Sequence, residues 1–224
     1  MEKSIIPSFS NIIKTLFLYL TNSEFYDCLI GSFILTTKAM FYSIILSLFI
    51  SYGYFFRFFK PISVFISKCR FLTYTGLIYV FYLIIKDINV LKMSLLLFGI
   101  IPFLTTSLIS YFIEINPNLY NLCTTIRMNK WESFYEVVIN GKKDIILEAL
   151  RQNFAIAWMM ITMVESINMS TYGLGSELYK QSKYLHLSNV IAILIVIFCI
   201  GYLFDYFFNK IRKTVFKYVN DGNV

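Results

Sequence analysis

The chain has 224 residues, 58% of them hydrophobic and only 15% charged, with a formal net charge of +7 and a mean hydropathy of +0.66. Soluble domains carry roughly 25% charged residues, so this composition excludes a water-facing globule and makes lipid the main solvent. The lysines and arginines fall between apolar runs rather than on one continuous face, which excludes a nucleic-acid surface and makes them topology signals.

Residues 1–27 form an N-terminal segment expected to lie at the membrane interface. Glu2 and Pro7 argue against a signal peptide, and no small-residue cleavage site follows Ile12–Leu20. That stretch carries Lys14 and is too short to span comfortably, which suits an amphipathic interfacial helix. Residues 28–215 form the transmembrane domain, and 216–224 a cytoplasmic tail. Five segments are apolar enough to cross a bilayer, which needs about 20 helical residues per span. They run over Leu29–Phe56, Phe71–Ile85, Met93–Ile115, Leu150–Met169 and Leu187–Phe208. The first is long enough to tilt or project; the second is short and ends at Lys86, which can snorkel to the headgroups. The fold class expected is all-α and polytopic, with about five transmembrane helices.

Orientation follows from the basic residues at the span ends. Arg57, Lys60, Lys68 and Arg70 follow span one; Arg127, Lys130, Lys142 and Lys143 precede span four; Lys210, Arg212, Lys213 and Lys217 follow span five. If the spans alternate, these lie on one side, the cytoplasm, while Lys86, Lys92, Lys180 and Lys183 give the other side a weaker positive load.

The main soluble element is residues 116–149. Trp131, Phe134, Val137 and Val138 are spaced as an apolar stripe on a short helix, among Glu132, Glu136, Asp144 and Glu148. Periodicity leaves two readings open: a helix docking into a partner's groove, or one lying on the membrane surface. Cys28, Cys69, Cys123 and Cys199 are scattered without a CxxC pair, so no disulfide framework or metal site follows. His186, the only histidine, is expected in an external loop. No catalytic set is present, and without a GxxxxGK[ST] loop the chain is not expected to hydrolyse ATP.

Ionisable groups inside spans are costly and point to function; here they are Lys38, Arg151 and Glu165. Thr162, Ser166 and Asn168 recur beside Glu165 at helical spacings, giving one polar face toward the interior. The readings of Glu165 stay open: lining a pathway, pairing across a dimer, or pairing structurally with Lys38 or Arg151. Gly173 and Gly175 are expected to permit a tight external turn or re-entrant segment.

The stretch NLCTTIRMNKWESFYEVVINGKKDIILEALRQNFAIAW, Asn121–Trp158, aligns without a gap to a cytoplasmic loop pattern EAARTLGASRWxxFxxVVLPxxLPxIxxGLRxxLxxAW. Thr125, Lys130–Trp131, Phe134, Val137–Val138–Ile139, Ile146, Leu150–Arg151 and Ala157–Trp158 fall in register. Glu165 takes the place of an acidic residue in the following helix, and Gly173-Leu174-Gly175 that of a GLG. Lys60-Pro61, Gly99, Pro102 and Thr106-Ser107 agree more weakly. In these residues the chain resembles the permeases of binding-protein-dependent ABC importers of the nitrate, sulfonate and taurine type, over roughly residues 28–215. Departures are the absence of one helix ahead of the core, Arg127 at the loop glycine, and Asn140 and Asp144 at two prolines. A glycine tolerates a positive φ that Arg127 accepts only at a cost, which points to a turn built differently.

The resemblance implies a type I ABC importer permease in the plasma (inner) membrane. Its partners would be a second permease chain, taken as a homodimer, cytoplasmic ABC ATPase subunits and an external substrate-binding protein. ATP and Mg would sit on the ATPase, leaving this chain non-catalytic and without a cofactor of its own. Thr125–Val138 would form the coupling helix, with Trp131 and Phe134 buried in the ATPase groove and Lys130 and Glu132 fixing register. Lys38, Trp158, Thr162, Glu165 and Asn168 would line the translocation pathway, and the solute would be small: nitrate, a sulfonate, taurine, bicarbonate or a vitamin precursor. The rival readings are an ATP-independent transporter or channel, a membrane-embedded enzyme, and a degenerate subunit paired with a fuller partner.

Overall fold

The computed structural model describes residues 7–56, 58–141, 143–167 and 173–216; Arg57, Lys142 and Lys217, used above for topology, and Asn168 lie outside them. All regular structure among these residues is helical: α1 (Phe9–Thr21), α2 (Ser23–Gly53), α3 (Lys60–Lys68) with a 3₁₀ turn (Cys69–Phe71), α4 (Tyr74–Ile84), α5 (Ile88–Ile113), α6 (Pro117–Thr125), α7 (Lys130–Phe134) with a π-helical stretch (Tyr135–Asn140), α8 (Lys143–Glu165), α9 (Leu174–Lys183) and α10 (Leu187–Val215). The protein is an all-α polytopic membrane protein.

Helices α2, α5 and α10 are each long and apolar enough to cross a membrane unaided. At 1.5 Å per residue α2 is about 46 Å long, beyond the roughly 30 Å hydrocarbon core, so it tilts or projects as its sequence suggests. Its small polar residues Ser32, Thr36, Ser43, Ser47 and Ser51 are all fully buried, while Ile34, Phe41, Ile45 and Phe49 are exposed. Small side chains inward and large apolar ones outward is the arrangement expected where lipid, not water, surrounds the helices.

The remaining expected spans differ from the sequence reading. The second, Phe71–Ile85, is not one helix: α4 has 11 residues, about 16 Å, and a break at Leu72–Thr73 separates it from α3 and the 3₁₀ turn. The helix that carries the fourth, α8, begins at Lys143, seven residues ahead of Leu150. Helix α8 is less apolar than the other long helices, since Asn153 and Glu165 are turned inward, each 1% exposed. The fifth starts at Leu187 as expected and continues to Val215. Among the described residues, three unbroken apolar helices, one broken pair and one helix with inward polar groups thus stand where five spans were expected.

The chain forms two compact units. The first comprises Met1–Tyr42, Thr73–Gly99 and Ala155–Phe204; the second comprises Ser43–Leu72, Ile100–Phe154 and Asp205–Val224. The core of the first is built from Leu91, Leu95 and Leu96 of α5, Ala157, Ile161 and Val164 of α8, and Ala192 and Ile193 of α10. Helix α1 buries no residue, and Tyr19 meets Phe25 with ring centroids 4.9 Å apart. The core of the second unit joins Leu104, Leu108, Phe112 and Ile115 of α5 to Cys123, Val137, Val138 and Ala149, with Tyr52 and Phe134 packed against them.

Candidate functional site

The segment from Asn116 to the start of α8, in the second unit, is built by consecutive local caps. The Asn116 side chain accepts the Asn118 N–H at 3.0 Å and Pro117 opens α6. Helix α6 ends with Arg127 at φ +61°, its N–H donating to the Thr124 carbonyl and the Met128 N–H to the Cys123 carbonyl, both at 3.0 Å. Those two bonds define a Schellman motif, which places Arg127 at the left-handed position that glycine favours. The turn is therefore not built differently, as the arginine suggested; Arg127 takes the glycine conformation and bears its cost. Met128, the residue after it, packs beside Cys123 in the core cluster and supplies the hydrophobic contact of the motif. Helix α7 then starts at a capping box in which the Glu132 carboxylate accepts the Asn129 N–H at 2.8 Å.

The apolar stripe divides between two surroundings. Val137 and Val138 are buried, and Phe134 packs against Tyr52 and Phe55 with centroids 5.9 and 5.2 Å away. Val137 and Val138, expected among the residues that meet the ATPase, serve the protein's own core instead, while Phe134 is half-buried and also faces an open hollow. Trp131 remains 67% exposed, its ring meeting those of Phe56 and Phe134, and Tyr135 is also exposed. Tyr135 and Glu136, at the start of the π-helical stretch, are exposed, while Val137 and Val138 within it are buried. Trp131, Glu132, Phe134, Tyr135, Glu136 and Ile139, with Met128, line an open hollow of about 540 Å³. Thr125 donates to the Asn121 carbonyl at 3.0 Å on the exposed last turn of α6, and Lys130 is exposed. Asn140, at a proline position, donates to Glu136 at 3.0 Å, and Asp144, at the other, lies in the first turn of α8, where its charge suits the helix dipole.

Also in the second unit, Arg151 grips Glu148 with two bonds (2.6 and 3.1 Å) and reaches Asp205 at 2.6 Å, while Arg212 donates to Glu148 at 2.8 Å. The Arg151 fork, aided by Gln152 and Arg212, holds the Glu148 carboxyl below the usual carboxylate range despite partial burial. Arg151 is thus occupied at this end of α8 and is not the partner of Glu165.

Glu165 lies in the first unit and is 1% exposed. Ser32 Oγ lies 2.8 and 2.7 Å from its two oxygens, and the Gly175 N–H donates to Oε2 at 2.9 Å. The Leu174 N–H donates to Ser32 Oγ at 2.8 Å. The carboxylate therefore sits at the N-terminus of α9, where orphan N–H groups and the helix dipole favour negative charge. Lys92, 4% exposed, contributes a positive field to it. A Cβ on Gly173 would lie 2.6 Å from the Glu165 carboxyl carbon, and one on Gly175 would overlap the Thr162 carbonyl oxygen. Both glycines are required for close approach; Gly173, at φ 163°, is simply extended.

Among the described residues none of the other expected pathway residues hydrogen-bonds to Glu165, though the Thr162 backbone packs against Gly175. Lys38 is exposed on α2 and does not pair with Glu165. Trp158 is 4% exposed, its Nε1 donating to the Ile197 carbonyl at 3.0 Å. Thr162 donates to the Met159 carbonyl at 2.9 Å on its own helix, and Asn168 lies outside the described residues. Ser32 and Lys92 were missed. Lys92 reads as a connection residue, but α5 starts at Ile88, ahead of the expected Met93, behind Asp87, whose carboxylate accepts the Asn89 N–H at 2.8 Å; that Asx signal was visible in sequence. His186 follows α9, exposed, its Nδ1 2.9 Å from Gln181 Oε1. Among the described residues no group of His, Cys, Asp and Glu could hold a metal ion.

No family model matches the sequence, and no curated protein matches it. Seven solved chains match. One, from the crystal structure of an amino acid ABC transporter with histidines, has a TM-score of 0.67 and 17% sequence identity, covering 94% of this chain and 98% of that chain. The likeness extends over nearly the whole of both chains, and this protein therefore has the fold of that transporter chain.

Proposed function

We propose that the chain is the membrane-spanning permease subunit of an ABC importer, moving a small solute across the plasma membrane with energy from a separate ATPase. The observation that carries this reading is the cytoplasmic segment: a Schellman turn and a capping box hold Trp131 and Tyr135 outward over an open hollow, while Phe134, Val137 and Val138 anchor the same helix in the core. A helix fixed on one side and bare on the other can pass a push from a partner into the spans. Its register agreement with the permease loop and the shared fold support the same reading.

In this proposal Trp131, with Lys130 and Glu132 beside it, meets the ATPase. Glu132 holds its own cap as well, so its loss would act partly through α7. A second permease chain completes the pathway, an external binding protein delivers the solute, and ATP and Mg stay with the ATPase. The solute in this reading is small: the sequence resemblance points to nitrate, sulfonate and related compounds, whereas the solved neighbour is an amino acid transporter. Replacing Trp131 with Ala should leave the chain folded, because the side chain is mostly exposed, yet abolish most solute uptake while the ATPase still hydrolyses ATP. Uptake in vesicles and phosphate release, measured together, test this; unchanged coupling would remove the assignment. An ATP-independent transporter, the alternative, would keep uptake when ATP is withdrawn.

A further inference from the structure

We propose that the first unit carries a binding site for the phosphate headgroup of an anionic phospholipid, at the junction of α4 and α5. A cavity of about 420 Å³ opens there, with Tyr82 and Lys86 at its exposed mouth and Leu91, Lys92 and Ile167 lining it further in. Two cations thus share one cavity, and no acidic side chain is among its lining residues. The neighbouring Asp87 uses its carboxylate to accept the Asn89 N–H. Lys92 lies in the field of Glu165, so Lys86 supplies the more available charge.

The surroundings favour a lipid over a soluble anion. Helix α4 ends at Ile84, and the segment leading to the cavity exposes Tyr79, Leu83 (83%) and Ile84 to whatever surrounds the molecule. Acyl chains lying along that face would place their phosphate at Tyr82 and Lys86, the aromatic and basic pair that marks a membrane–water interface. A lysine near an anionic headgroup is worth about fivefold in affinity. The proposal is independent of transport.

Native mass spectrometry of the purified chain, titrated with phosphatidylglycerol or phosphatidylcholine, tests it. Lys86→Ala should weaken the first phosphatidylglycerol about fivefold and leave phosphatidylcholine unchanged, while Lys86→Arg restores binding. Lys86 is exposed, so these variants fold. Lys183→Ala, at an exposed lysine that does not line the cavity, should have no effect. Equal losses in Lys86→Ala and Lys183→Ala would mean nonspecific charge attraction and overturn the site. Displacement of phosphatidylglycerol by inorganic phosphate at millimolar concentration would overturn the lipid as its source and assign the cavity to a soluble oxyanion.

Discussion

The contact between Gly173 and Glu165 can be tested by a double-mutant cycle. In Gly173→Ala the new Cβ meets three atoms, all of the Glu165 carboxylate, at 2.6–2.7 Å. The extended backbone at Gly173 accepts an alanine, so the cost lies in displacing the carboxylate. Moving it by several tenths of an ångström breaks at least one of its bonds to Ser32 or to the Gly175 N–H. A hydrogen bond to a charged group contributes roughly 1.5–3 kcal/mol, so Gly173→Ala should cost about 2–3 kcal/mol. At about 2–4 °C per kcal/mol for a chain of this size, Tm should fall by about 4–12 °C, followed by tryptophan fluorescence in a fixed detergent. Glu165→Ala alone should also destabilise, by about 1–3 kcal/mol, because it leaves the buried Ser32 hydroxyl and Gly175 N–H without their acceptor. In that background the atoms that Gly173→Ala would strike are gone, so adding it should cost less than about 0.5 kcal/mol. The two substitutions interact by about 2 kcal/mol only if the carboxylate lies where the structure has it. Equal costs of Gly173→Ala in both backgrounds would refute the reasoning.

Arg127→Gly should stabilise the chain by about 1 kcal/mol, since the left-handed conformation costs a side-chain-bearing residue roughly 1–2 kcal/mol and glycine returns part of that as unfolded-state entropy; a lower Tm would remove the strain argument. Glu148 has its folded pKa depressed, so its pairing stabilises fully above the ordinary carboxylate range and is lost as pH falls through the folded value. The Tm gap between wild type and Glu148→Gln should therefore be wide at neutral pH and narrow on acidification below that range; a gap that widens would contradict the pairing. Val138→Ala, at a fully buried position, should cost about 1–3 kcal/mol, unlike the exposed Trp131→Ala, whose Tm should stay within about 1 °C.

Much of the membrane architecture was legible because long apolar runs have few alternative uses. The helix between α6 and α8 was legible too, as Trp131, Phe134 and Val138 recur at helical spacing. The direction of that stripe was not, because periodicity tells which residues share a side and never which body covers it. Here Tyr52, Phe55 and Phe112 fill that place, from stretches of chain distant in sequence. The break before α4 was equally hidden, since Leu72–Thr73 carries neither glycine nor proline. Gly173 and Gly175 were recognised as special, but the reason lies in a carboxylate eight and ten residues earlier that must approach the α9 backbone. Arg127 misled in the opposite sense: its side chain argued against a positive φ, while the bonds to Thr124 and Cys123 impose one.

Lys38 ties the fold to the proposed assembly. It lies 15 residues from either end of α2, about 22 Å of helix each way. A lysine side chain can snorkel only a few ångströms along its stem, so its ammonium cannot reach either end of so long a helix. Exposure of that charge to hydrocarbon would cost about 3 kcal/mol on insertion scales and more on others. Among the described residues no carboxylate lies within ion-pair distance of it; the salt bridges found join Arg151 and Arg212 to Glu148 and Asp205. The cost is avoided if the α2 face carrying Lys38 meets water or another protein chain instead of lipid. In the proposed importer that face turns toward the second permease chain and the pathway between them. A charge that would be a liability in an isolated helix then becomes a reason for the subunits to assemble.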